Sequence, residues 1–180
     1  MLEDLSPLIA ATAQWLTAAY PASGGALASA LCEVQARQAV ALAAWLRYPT
    51  PMDAALVGLA GPGGSARLDW VAGADGAGAG DPDTYAWRTW VDEVVASWAA
   101  CLLTDPALAG RAVAALTEDA LTDDGRAPHA PVEFRRLLTP DERDSSAAAL
   151  LRHPDLLAPV AALHRAQLLV RLAPDGTLAA

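Results

Sequence analysis

The sequence predicts an all-α fold, arranged as a single-domain bundle of six to seven helices. Apolar residues recur at the spacing of one helix face in most segments, and prolines and glycines separate these segments at short intervals. Alanine, a strong helix former, is also unusually frequent. The length of 180 residues and the 54% hydrophobic content suit one domain over 1–180 with its own core.

The first two helices have clear boundaries in the sequence. Ser6 and Pro7 supply a capping hydroxyl and a residue without an N–H at the start of the first helix, and Pro21 ends it. The second helix follows Gly25 and runs to about Tyr48. Its inward stripe is expected to consist of Leu27, Leu31, Val34, Gln38, Leu42 and Trp45.

Residues 51–72 leave two alternatives open, a short helix capped by Thr50 or a β-hairpin around 56–72. Leu68, Trp70 and Ala72 alternate with their neighbours at the period of a half-buried strand. This alternation favours the hairpin.

A long helix is predicted from Asp81 to about Leu103, after a Gly- and Ala-rich segment, 73–80, that is expected to form a mobile surface loop. Arg88 and Asp92 are expected on its polar side. Its apolar stripe comprises Trp87, Val91, Val94, Trp98, Cys101 and Leu102, with Trp90 beside it.

The C-terminal part is predicted to hold three or four further helices. Asp105 caps the first, and a short helical turn covers 132–138. Thr139 and Glu142 have the spacing of a capping box before the next helix. The last helix runs from Pro154 to about Leu172, with its stripe on Leu156, Val160, Leu163, Gln167 and Val170.

Charge and composition restrict the partners that we expect. The net charge of −9 disfavours nucleic acid and anionic membranes. No apolar run is long enough to cross a bilayer, and the acidic start lacks the positive region of a secretory leader, so we expect a cytoplasmic protein. All twelve basic residues are Arg, a composition typical of a GC-rich bacterial genome.

The sequence predicts no metal and no cofactor. Cys32 and Cys101 lie far apart and are expected to be free and buried. The glycines of 73–80 match neither of the common phosphate-binding patterns, and no Cys/His cluster or EF-hand order of ligands is present.

The candidate catalytic residues are His129, Arg135 and Arg136. A loop is able to present His129 as a general base, and the two arginines follow it closely. No nucleophile motif accompanies them, so the sequence leaves open whether the protein is an enzyme.

Six tryptophans against one phenylalanine are the unusual feature of this composition. Large rings fill gaps between alanine-rich helices, but they also line apolar pockets and anchor interfaces. The ligand-binding candidates are Trp70, Trp87, Trp90 and His164.

Two functions follow from these patterns. The first is a non-enzymatic helical binding or regulatory protein with a protein–protein or self-association surface, quite plausibly a homodimer. The alternative is a small enzyme or carrier that binds an apolar or aromatic small molecule in a Trp-lined pocket under the loop 73–80.

Overall fold

The computed structural model describes residues 4–74, 82–122 and 131–173, and all regular secondary structure within them is helical. The all-α prediction is therefore confirmed. The described helices are α1 Ser6–Ala19, α2 Ala26–Arg47, α3 Pro51–Ala60, α4 Ala66–Ala72, α5 Glu93–Thr104, α6 Pro106–Thr122, α7 Arg135–Leu138, α8 Glu142–Ala147, α9 Pro154–Ala162 and α10 Arg165–Arg171, with 3-10 segments at Pro82–Trp90 and Pro131–Phe134. The predicted count of six to seven was too low, because residues 51–72 form two helices and the last predicted helix is divided in two.

The core is built around α2 and α5, which pack on each other more extensively than any other described pair. The helix α1 packs on α2, and α9 packs on α5. On α1, Leu8, Trp15 and Leu16 are almost completely buried. Among the described residues, no helix combines the length and the apolarity that crossing a bilayer requires.

The buried face of α2 is only partly the predicted one, because Leu42 is completely buried but Leu31 and Trp45 are only partly buried. Leu27 and Val34 are 66% and 39% exposed, whereas Ala36, Ala39 and Ala43 are completely buried. Small side chains allow neighbouring helix backbones to approach closely, and α2 has several helices around it. The helix is therefore turned so that its alanines face inward.

The predicted β-hairpin around 56–72 is wrong, because the region forms α3 and α4. Thr50 and Asp53 form a reciprocal capping box at the start of α3, with Thr50 Oγ1 accepting from the Asp53 N–H at 3.2 Å. Gly73, at φ 70°, ends α4 while the Ala74 N–H donates to the Asp69 carbonyl oxygen. Both ends of this region thus carry helix-specific signals that outweigh a short alternation.

The helix predicted over 81–103 is divided at Asp92. A 3-10 segment precedes this residue and α5 follows it. Asp92 is buried rather than on a polar side, and its Oδ1 accepts from the N–H groups of Val94 at 2.8 Å and Val95 at 3.0 Å. Asp92 is therefore an N-cap, which explains why the regular helix begins here.

The last predicted helix is divided as well, at residues 163–164 between α9 and α10. The indole N–H of Trp98 donates to the His164 carbonyl oxygen at 3.2 Å, so a side chain from α5 satisfies a backbone acceptor at the break. The predicted capping box also lies two residues further on, between Asp141 and Asp144.

Candidate functional site

The three tryptophans of the predicted pocket lie in different surroundings. Trp70 projects from α4 and is 74% exposed. Trp87 and Trp90 lie on the 3-10 segment, partly buried against the core. Most of the predicted lid, 73–80, lies outside the described residues, which end here at residue 74, so the pocket under it stays a prediction.

A buried polar cluster next to Trp87 has a structural role. The Asp69 carboxylate accepts from the Trp15 indole N–H at 2.9 Å and from the Ser65 hydroxyl at 3.1 Å, and it pairs with the Arg88 guanidinium at 2.7 Å. The Arg88 guanidinium lies 5.8 Å from the centre of the Trp87 ring. These contacts tie α1, α4 and the 3-10 segment together, and Arg88 is not on a polar outer face as predicted.

Of the three predicted catalytic candidates, the structure describes Arg135 and Arg136. His129 lies outside the described residues. Arg135 is exposed on α7, and the Arg136 guanidinium forms an ion pair with the buried Asp144 carboxylate. Since this pair joins α7 to α8, Arg136 has a structural partner, and the catalytic role predicted for it stays a prediction.

His164 lies at the rim of a groove formed by the end of α2, the first half of α5, and α10. The groove has a volume of about 660 Å³ and is lined by Arg47, Val94, Trp98, His164, Ala166, Gln167, Val170 and Arg171. The imidazole Nε2 of His164 lies 3.3 Å from Glu93 Oε1. Arg67 Nε lies 3.4 Å from the other oxygen of the same carboxylate. Glu93 therefore orients the His164 ring toward α5.

The arginines of this groove were missed by sequence reasoning. Arg47 and Arg171 stand at the C-terminal ends of α2 and α10, where a basic residue is common because it favours the helix dipole. Only the tertiary packing brings these two helix ends to one groove. No local sequence pattern therefore predicts that the two arginines lie at the same groove.

A second surface was also missed, and it consists of large apolar side chains on α3. Met52, Leu56 and Leu59 are 74%, 56% and 86% exposed. Their spacing places all three on one face of the helix. The opposite side of α3 contributes just Ala54 and Val57 to the core. The spacing is visible in the sequence, but the hairpin interpretation obscured it.

The two cysteines are free and buried, as predicted. Burial raises the pKa of both thiols, which disfavours the reactive thiolate. Within the part of the chain that the structure describes, no group of three or more His, Cys, Asp or Glu side chains could hold a metal ion.

Comparison of the chain with protein-family models, with curated proteins and with solved structures finds no match in any of the three.

Proposed function

We propose that this chain is a non-enzymatic binding protein that associates with a second copy of itself through α3. The observation that carries the proposal is the row of Met52, Leu56 and Leu59, each more than half exposed on one helix face. The largest apolar patch on a monomer typically covers roughly 300–600 Å², and such patches are often functional. Three large side chains in a row reach that scale.

The uncharged surface of the row is compatible with a second copy as its occupant. Two chains of net charge −9 repel each other, so their contact surface must itself carry little charge. Asp53 is the one charged residue of α3, and its carboxylate accepts hydrogen bonds in the capping box with Thr50. The row itself contains no charged side chain and therefore meets this requirement.

The row also suits twofold symmetry. In an antiparallel pair of α3 helices, Met52 of one copy faces Leu59 of the other, and Leu56 lies near the symmetry axis beside its counterpart. Such a pair buries on the order of 1,000 Å² in total, which is at the small end of specific interfaces. We therefore expect a weak, reversible dimer. We place it in the cytoplasm, in keeping with the two free cysteines.

Sedimentation velocity tests the proposal. The wild-type chain is expected to be largely dimeric at about 100 μM and largely monomeric at about 1 μM, as a small apolar interface implies. Leu56→Glu places a charge at the symmetry axis and is expected to be monomeric at both concentrations. Circular dichroism should show unchanged helix content, because Leu56 is exposed in the monomer.

Leu27→Glu is the matched control, since Leu27 is also an exposed leucine but lies on α2. It is expected to dimerise like the wild type. A wild type that is monomeric at the higher concentration would overturn the proposal, as would a Leu56→Glu variant that still forms dimers.

A further inference from the structure

Two arginines, Arg47 and Arg171, line the groove beside His164. Arg47 and Arg171 are both exposed, and neither forms an ion pair with any described residue. The Arg47 guanidinium instead lies 5.6 Å from the centre of the Tyr48 ring. On a chain of net charge −9, two arginines that line one groove are a local exception to the charge balance.

Among the described residues, Asp92 and Glu93 contact the lining of this groove, and both carboxylates have partners. Asp92 Oδ1 accepts from the Val94 N–H at 2.8 Å, and Asp92 Oδ2 accepts from the Tyr48 hydroxyl at 2.6 Å. Glu93 Oε1 lies 3.3 Å from the His164 ring and Glu93 Oε2 lies 3.4 Å from Arg67. The Glu93 carboxylate is thus shared between His164 and Arg67. Arg47 and Arg171 are the charged side chains in the lining itself, and they favour an anionic ligand there.

The remaining lining is mostly apolar. Val94 and the indole of Trp98 on α5 face Ala166 and Val170 on α10, and Gln167 adds an amide that both donates and accepts hydrogen bonds. The volume of about 660 Å³ lies within the usual range of small-molecule sites, roughly 300–1,000 Å³.

We propose that this groove binds a small organic carboxylate with an apolar or aromatic body. The planar guanidinium groups of Arg47 and Arg171 pair with the carboxylate, for which their fork of donors is suited. The body lies against Val94, Trp98 and Val170. A polyphosphate fits less well, because it requires more cations and would place its charges against these apolar walls.

Isothermal titration calorimetry with naphthalene-2-carboxylate tests this assignment. We expect saturable binding of one molecule per chain. Arg47→Gln and Arg171→Gln should each weaken the affinity by at least about tenfold, the loss expected for one charge-assisted contact. Arg143→Gln is the matched control, because Arg143 is an exposed arginine that lines a different pocket. This variant should bind as the wild type does.

Two further probes separate the charge from the body of the ligand. Neutral 2-naphthylmethanol keeps the rings without the carboxylate, and inorganic phosphate keeps a charge without the rings. Both should bind at least about tenfold more weakly than the carboxylate. If phosphate bound as tightly as the carboxylate, the groove would not recognise an apolar body. If the alcohol bound as tightly, the arginines would not recognise the carboxylate.

The proposal also fails if naphthalene-2-carboxylate does not bind at millimolar concentration, or if it binds the double arginine variant unchanged. The groove and α3 have no lining residue in common. The monomeric Leu56→Glu variant should therefore bind the carboxylate as the wild type does, so that failure of self-association and failure of ligand binding are distinguishable.

Discussion

On α2 alanines form much of the buried face, together with Leu42 and Leu46, whereas on α3 the large side chains are the exposed ones. Ala36, Ala39 and Ala43 are fully buried in α2, and α5 adds further buried alanines to the same core. On α3 the small Ala54 and the medium-sized Val57 face inward, and Leu56 and its neighbours in the row face outward.

This contrast shows that the size of a side chain does not decide which face of a helix is buried. Along α2, close backbone approach on several sides requires small residues. At α3 the contact with the core is slight, and the free energy available from burying the large side chains is left for another partner. The same α-helical spacing thus supports packing in one region and an exposed apolar row in the other, for which we propose a role in recognition.

The largest expected effect on stability comes from replacing a buried alanine of the central helices by a larger residue. Ala39→Leu or Ala99→Leu should lower the free energy of unfolding by about 3 kcal/mol, because both sites are completely buried and an added side chain must displace packed neighbours. Urea denaturation measures this.

Leu59→Ala on α3 is the comparison, at a protein concentration that keeps the chain monomeric. It should change stability by no more than about 0.5 kcal/mol, since Leu59 is exposed. If Leu59→Ala lowered the free energy of unfolding as much as the alanine-to-leucine substitutions do, the contrast between the two regions would not hold.

The next effect concerns the N-caps of α5 and α3. The Asp92 carboxylate accepts from two backbone N–H groups of α5, and it accepts from the Tyr48 hydroxyl at 2.6 Å. Asp92→Ala removes this acceptor and should lower the free energy of unfolding by about 2 kcal/mol. Asp53→Ala removes an exposed cap from a helix with little core contact. Hydrogen exchange should show fraying confined to α3, and a global loss equal to that of Asp92→Ala would contradict this account.

The smallest effect is a pH dependence at the junction of α2 and α5. Burial, together with the hydrogen bond to the Asp92 carboxylate, raises the pKa of Tyr48 from 10.0 to about 12. The folded state therefore binds this proton more tightly than the unfolded state. The resulting stability is present below pH 10 and is lost as the pH rises from about 10 to about 12.

Tyr48→Phe should accordingly be less stable than the wild type at neutral pH and should lose less stability over that alkaline range. Chemical denaturation at a series of pH values measures both curves. Parallel curves would show that Tyr48 does not carry the effect.

The helical class and several boundaries were predictable from local signals. The helix α2 begins after the segment Ser23-Gly24-Gly25, as expected. Asp105 caps α6, because its carboxylate accepts from the Ala107 and Leu108 N–H groups at 3.0 Å. Such signals depend on residues that are close in sequence. The pairing of Glu33 with Arg37 one turn later, at 3.0 Å, is predictable for the same reason.

The breaks and the sites depend on contacts between distant residues. A continuous apolar stripe across Asp92 did not reveal that its carboxylate would cap α5 and accept from Tyr48. Likewise, the break at residue 164 is linked to Trp98, and the groove needs Arg47 and Arg171 from opposite parts of the chain. His164 was recognised as a ligand-binding candidate, but its groove was not.

The central claim is that a second copy covers the outer face of α3, and disulfide cross-linking at Leu56 tests it most directly. In a chain whose two native cysteines are buried, Leu56→Cys adds one exposed thiol close to the proposed symmetry axis. Mild oxidation should convert this variant to a covalent dimer within minutes, while Leu27→Cys stays monomeric. Equal cross-linking of the two variants, or none for Leu56→Cys, would contradict the claim.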